Sequence, residues 1–204
     1  MLALWIVLGA IGVIAFITWY ARTHPSACPY AARFFVQTPH PIITRNRLRQ
    51  ILETRSGERI LEVGPGTGYY TLDLAAWVGS SGTVEIFDLQ RKFLDHTMRR
   101  AEERGLSNVE PRQGNAESLP YGDGSFDAAV LITVLGEIPD EGAALREHRR
   151  VLKPGGRLIV GELSLGDPHY VGFDSLRARA ESAGFRFQRR LGGRLGYFAR
   201  FARD

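Results

Sequence analysis

The stretch Arg59-Ile60-Leu61-Glu62-Val63-Gly64-Pro65-Gly66-Thr67-Gly68-Tyr69-Tyr70 decides how this chain folds. Ile60, Leu61 and Val63 are β-formers and read as a short buried strand. Three glycines within five residues then make a tight turn. Over residues 70–78 apolar side chains recur at helical spacing. Strand, glycine turn and helix together open a nucleotide-type α/β unit. Glycine lets backbone approach a ligand closely, and the N–H groups that begin the helix face that ligand. The dinucleotide fingerprint G-x-G-x-x-G sets its third glycine three residues after the second. Here Gly64, Gly66 and Gly68 are evenly spaced, so the third comes one residue early. Glu62 adds an acid inside the strand end.

Residues 62–68, Glu-Val-Gly-Pro-Gly-Thr-Gly, resemble motif I of the class I S-adenosylmethionine (SAM) methyltransferases, E/D-x-G-x-G-x-G. The resemblance runs from about residue 45 to the C-terminus. It implies SAM as cofactor, held by Glu62, Gly64, Pro65, Gly66, Thr67 and Gly68. Taken alone, the motif also admits a glycine turn without a ligand. Residues 83–88 read as a second strand ending in Asp88, followed by Leu89. An acid there can accept both ribose hydroxyls of an adenosyl group, and Leu89 joins the same expected cofactor set. Asp88 can also N-cap a helix over residues 91–104. After a third strand at 109–113, Gly114-Asn115-Ala116-Glu117-Ser118-Leu119-Pro120 resembles the family's G-D-A-E-x-L-P segment. In that family the acid and the next N–H read the adenine edge, which implies Asn115 and Ala116. Asparagine keeps the acceptor oxygen and loses the charge.

Residues 125–133 form a nearly all-apolar fourth strand that resembles the family's S-F-D-x-V segment, with Thr133 at its cofactor end. Residues 150–158 resemble R-V-L-K-P-G-G-x-L, a helix-to-strand turn set by Gly155 and Gly156. A helix over 173–183 and a hairpin over 185–201, turning at Gly192-Gly193, complete the alternation. Such alternation implies a doubly wound, Rossmann-like α/β sheet. The resemblance supplies seven strands in the order 3-2-1-4-5-7-6, with strand seven antiparallel.

The chain has 204 residues and a net charge of +4, and its basic residues are almost all arginine. Cys28 is the single cysteine, which excludes a disulfide framework, a cysteine zinc site and thiol relays. Residues 2–21 carry no charge. Twenty helical residues span ~30 Å, the thickness of a bilayer core. Arginines follow the stretch and none precedes it, which predicts a single-pass membrane helix with a cytoplasmic catalytic domain. A cleaved leader is the competing reading, weakened by the missing basic n-region. The expected division is residues 1–22 as transmembrane helix, 23–44 as membrane-proximal segment and substrate cover, and 45–204 as methyltransferase domain.

By the resemblance, the acceptor sits beyond strands four and five, within reach of Leu135, Gly136, Glu137, Glu162, His169 and Tyr170. Glu137 or His169 could take its proton. The 163–172 link is short, so the cover falls to residues 23–44, with Tyr30, Phe34 and Phe35 against the acceptor. The expected partners are the membrane and an apolar or lipid acceptor, such as a quinone or phosphatidylethanolamine. The D/N-P-P-Y/F motif of many nucleic-acid amine methyltransferases is replaced by Thr133-Val134-Leu135-Gly136, so no nucleic-acid partner is expected, and no metal. A non-catalytic interaction protein of the same fold and a dinucleotide-dependent oxidoreductase are the competing functions.

Overall fold

Seven strands carry the chain, in the order β3-β2-β1-β4-β5-β7-β6. A computed structural model describes residues 5, 9, 12, 13, 16, 19, 20, 23–37 and 40–204. The strands are β1 (Arg59–Val63), β2 (Thr83–Asp88), β3 (Val109–Gln113), β4 (Phe126–Ile132), β5 (Leu152–Leu163), β6 (Phe185–Gly193) and β7 (Gly196–Arg203). The helices are α1 (Arg33–Gln37), α2 (Arg45–Leu52), α3 (Thr71–Val78), α4 (Arg91–Glu103), α5 (Glu141–Val151) and α6 (Phe173–Ser182). Strands β1 to β5 pair in parallel, and β7 runs antiparallel to both β5 and β6. The expected sheet is therefore the observed one.

Each inner strand is buried on both faces, so its apolar residues alternate between two cores. Leu61, Ala129 and Leu131 face a core with Leu145 of α5 and Leu176 of α6. Ile60, Ala128 and Val130 face the other, with Leu48 and Leu52 of α2, Leu72 of α3 and Leu94 of α4. Among the described residues no helix separates β3 from β4. The loop there packs Leu119 and Tyr121 into the first core instead.

Helix α2 begins at Arg45. Thr44 caps it, its hydroxyl accepting from the Arg47 N–H at 3.3 Å. The Lys153-Pro154-Gly155-Gly156 turn lies inside the β5 ladder as a bulge: opposite β4 the register jumps from Leu152 to Arg157. The hairpin turn is Arg194-Leu195, because Gly193 pairs with Gly196. Gly192 belongs to the strand end, where its φ of 107° and the Gly196 carbonyl 2.4 Å from an added Cβ require glycine.

The expected membrane span is corrected. Among the described residues no helix is long and apolar enough to cross a membrane. Within residues 2–21 the described positions, Trp5, Gly9, Gly12, Val13, Phe16, Trp19 and Tyr20, are helical and exposed, and the others lie outside the described residues. The single-pass localisation expected from that span is withdrawn with it.

One buried ion pair ties the sheet to α2. Arg157 of β5 donates to both Glu58 oxygens, at 2.9 and 2.5 Å, and its Nε donates to the Leu52 carbonyl at 2.5 Å. Removing one partner of such a pair leaves a buried charge without compensation. Arg157→Met should cost ~3–5 kcal/mol. Pairing it with Glu58→Gln should recover much of that loss, and urea unfolding of the three proteins measures both.

Candidate active site

The carboxyl ends of β1 to β5 surround one cavity of about 650 Å³. It sits where the chain, having built β2 and β3 on one side of β1, crosses to β4 on the other. Open α/β sheets bind ligands at that switch point. Gly64, with φ of 69°, closes the end of β1 against the loop after β4. A Cβ on Gly64 would lie 2.3 Å from Val134 Cγ2, so only glycine permits this crossing. Thr133 stands in the same loop with φ of 54°, a strained position for a β-branched residue. Its N–H donates to the Gly161 carbonyl at 2.8 Å, which helps hold the strained backbone in place.

Of the cofactor residues expected from sequence, Gly64, Gly66, Asp88, Leu89, Asn115, Ala116 and Thr133 line this cavity. Asp88 accepts from the Gln90 N–H at 2.7 Å through Oδ1. Burial pushes its carboxyl up to about 6, against the pull of that N–H. A carboxylate with capacity left over, facing a cavity, suits a pair of hydroxyl donors. Asn115 is more committed than expected. Its Oδ1 accepts from the Glu117 N–H and its Nδ2 donates to Glu117 Oε2, both at 3.0 Å.

Glu62, Pro65, Thr67 and Gly68 are brought near but do not line the cavity. Glu62 is buried under the glycine turn, accepting from the Thr71 hydroxyl at 2.6 Å. Burial pushes it up to about 7, and the Thr71 hydroxyl opposes the shift. Its place is beneath the loop because successive strand residues face opposite sides of the sheet. Gly68 makes room for a neighbour instead: a Cβ there would lie 2.9 Å from Thr97 Cγ2 of α4.

Both candidate bases line the cavity. They are brought together by Gly136, where a Cβ would overlap the His169 carbonyl. Glu137 is half-buried, and burial pushes its carboxyl up to about 7. The Cys28 N–H donates to Glu137 Oε2 at 3.0 Å. His169 donates its own N–H to Asp167 Oδ1 at 2.8 Å.

Of the aromatic residues expected against the acceptor, Tyr30, Phe34 and Tyr170 do not line the cavity. Tyr30 packs edge-on against Phe93, centroids 5.1 Å apart, and its hydroxyl meets His96 Nδ1 at 3.1 Å on α4. Phe34 is exposed, and the Phe35 side chain lies outside the described ones. Tyr170 packs on Tyr197, centroids 6.3 Å apart. The wall comes instead from residues 25–29, with Gln90, Phe93, Leu165 and Asp167. Residues 25–29 belong to the 23–44 segment expected as cover, but no local pattern marks which of its residues face the cavity, since their partners lie far along the chain.

The seven-stranded sheet in this order, with its cavity over the glycine turn, is the fold of the SAM-dependent methyltransferase class. More narrowly, residues 38–173 match the ubiE/COQ5 methyltransferase family, and the chain belongs to that family. It is 36% identical over 129 residues to a demethylmenaquinone methyltransferase of Bacillus velezensis, covering 63% of this chain and 54% of that protein. It is 40% identical over 111 residues to a ubiquinone/menaquinone biosynthesis C-methyltransferase of Hahella chejuensis, covering 54% of this chain and 45% of the relative. The chain thus matches about half the length of these curated relatives. In fold it resembles a SAM-dependent methyltransferase of Aquifex aeolicus, with a TM-score of 0.80 at 21% identity, covering 87% of this chain and 100% of the other. It also resembles the [4+2]-cyclase SpnF, with a TM-score of 0.65 at 29% identity, covering 72% of this chain and 57% of that one.

One further acid lies behind the cavity wall. Glu162 is 1% exposed; its Oε2 accepts from the Val171 N–H at 3.2 Å and its Oε1 has no partner among the described residues. Burial pushes it from an ordinary 4.5 up to about 8. A carboxyl raised on folding contributes stability that is complete below the ordinary value and lost as pH rises through the raised one. Glu162→Gln, which cannot ionise, should therefore unfold like the parent near pH ~4.5. It should become the more stable protein by pH ~8, by on the order of 2–4 kcal/mol. Thermal melts across that window check the sign.

Proposed function

We propose that this protein methylates a ring carbon of a quinol-type acceptor, with Asp88 holding the cofactor and Glu137 taking the acceptor's proton. The observation that carries the reading is one cavity in which Asp88 and Glu137 both stand, with apolar wall residues such as Phe87, Phe93, Ile138 and Leu163 beside polar ones such as Gln90, Asp167 and His169. The names of the two curated relatives support a quinone precursor, and neither is named for phosphatidylethanolamine. SAM supplies an electrophilic methyl on a sulfonium when bound. The proposed cofactor contacts are the Gly64–Gly66 backbone, Asp88 on the ribose hydroxyls, and Asn115 with Ala116 at the adenine edge.

The chain's own work is positioning, exclusion of water and proton handling. Phe87, Phe93, Ile138 and Leu163 wall the cavity with apolar surface. A cavity of about 650 Å³ lies within the usual range for small-molecule sites. One proton leaves the acceptor for each methyl gained on carbon, and Glu137 receives it. With Oε2 engaged by Cys28, Oε1 is the oxygen left for that proton. A base raised to about 7 is matched to work near neutral pH. His169 is the alternative acceptor of the same proton.

The similarity to a [4+2]-cyclase favours a second reading, in which the cavity serves a reaction without methyl transfer. Labelled SAM incubated with reduced demethylmenaquinone separates the two: label in a methylated ring supports the first, and intact SAM supports the second.

Asp88→Ala should weaken SAM binding by roughly 1.5–3 kcal/mol, the worth of hydrogen bonds to a charged group. Unchanged affinity by calorimetry would remove Asp88 from the site. Glu137→Gln should lower kcat on the order of 10²-fold while SAM still binds. Because the ionised form is the base, the parent's rate should rise with pH through about 7, and that limb should be absent in the variant. A pH–rate profile with the same limb in both proteins assigns the proton to another group.

A further inference from the structure

Residues 25–29 have no helix or strand of their own, yet all five line the cavity and their backbone bridges its two sides. Cys28 is held on both sides through its backbone. Its N–H donates to Glu137 Oε2 at 3.0 Å, and its carbonyl accepts from Gln90 Nε2 at 2.8 Å. Gln90 also donates its own N–H to Asp88 Oδ1 at 2.7 Å. One side of the clamp is thus wired to the proposed ribose carboxylate, and the other is the proposed base. Tyr30, seated on Phe93 and His96, anchors the end of the strap to α4.

We propose that residues 25–29 are a strap closed over the bound substrates by Gln90 and Glu137, and that uptake of the acceptor's proton by Glu137 releases it. This release rests on the proposed role of Glu137 as base and arises from its second contact, the one to Cys28. As a carboxylate, Glu137 makes a charge-assisted hydrogen bond to the strap. The proton that leaves the acceptor neutralises it, while the electron pair of the broken bond stays on the acceptor. A neutral carboxyl holds the Cys28 N–H more weakly, so the step that completes the reaction also loosens the exit. The proton passes to solvent once the strap lifts, and the carboxylate then re-forms the clamp.

The surroundings of Glu137 favour this switching. Asp88 at the end of β2, Asp167 in the loop after β5 and Glu162 of β5 all act on it or feel its charge, and the Cys28 thiol lies beside it. His169 shares the same wall. Among the described residues, no arginine or lysine lines the cavity to hold Glu137 ionised. Burial and the neighbouring carboxylates raise its titration to about 7. Gln90 carries no charge, so its side-chain bond to the Cys28 carbonyl does not itself titrate, while Asp88, which accepts from the Gln90 N–H, titrates at about 6, at the lower edge of the range tested below. Gln90 is a positioning residue: it touches the strap and, through its backbone, Asp88.

Hydrogen exchange of the peptide covering residues 23–33, read by mass spectrometry on the full chain, tests the clamp without needing turnover. After correction for intrinsic exchange, protection in the parent should fall roughly tenfold from pH ~8 to pH ~6, the ratio between charge-assisted and neutral hydrogen bonds. Glu137→Gln should show the low protection at both pH values. Gln90→Ala should lower protection by a similar factor at both while keeping the parent's pH dependence. In each protein the β6–β7 hairpin reports that the fold is intact. Gln90→Ala should also raise KM for the quinol acceptor more than it lowers kcat. Protection in the parent that is flat across this pH range, or a pH dependence that survives in Glu137→Gln, would overturn the strap. A strap that behaves as stated while Glu137→Gln keeps full kcat would leave the clamp in place and remove only the base assignment.

Discussion

The close crossing of two loops at the end of β1 is the constraint on which the site depends. Gly64 and Val134 come from strands that are neighbours in the sheet and far apart in the chain. With any side chain at Gly64, the loop after β4 would have to move outward, and Thr133 and Glu137 would move with it. Thr133 is held in a left-handed conformation there, tied to β5 by one backbone hydrogen bond. Gly136 repeats the device one turn later, allowing the loop after β4 to touch the loop after β5 at His169. Two positions without a side chain thus draw three loops into one wall.

Around that wall the carboxylates are unusually costly to ionise. Asp88, Glu137 and Glu162 are all raised, chiefly by burial. An apolar environment that desolvates these acids also keeps water from the methyl donor, so the same packing serves both ends. Stability and function pull in opposite directions at this point. Each raised acid lowers the stability of the fold as pH rises through its titration. Arg157 and Glu58 show the contrasting arrangement, a buried charge fully paired and remote from the cavity.

The division of labour within the cavity follows the strand order. The ends of β1, β2 and β3 carry the residues proposed for the cofactor, and the loops after β4 and β5 carry the candidate bases. Residues 25–29 cross from the first group to the second. Their aromatic neighbour Tyr30, which composition suggests as a pocket residue, serves as the foot of that crossing on α4.

The sequence by itself determined a doubly wound sheet, through the alternation of apolar strands with helical spacing, and the motif resemblances supplied the strand order. It also marked Gly64, Gly66, Asp88, Asn115 and Ala116 for the cofactor. These are legible because a strand end, a glycine turn and a following acid are local features. Glu62 was legible as an acid of the motif but not in its direction, because the side a strand residue faces depends on which face the next layer covers. The clamp on Cys28 was illegible: Cys28 and Glu137 are 109 residues apart, and no local pattern records a contact made by closing so long a loop. The apolar N-terminal run was read from hydropathy alone, and among the described residues no helix is long and apolar enough to cross a membrane. Tertiary structure alone decided which residues of the 23–44 segment wall the cavity, because a wall is built by whichever distant segments the sheet's strand order brings to one edge.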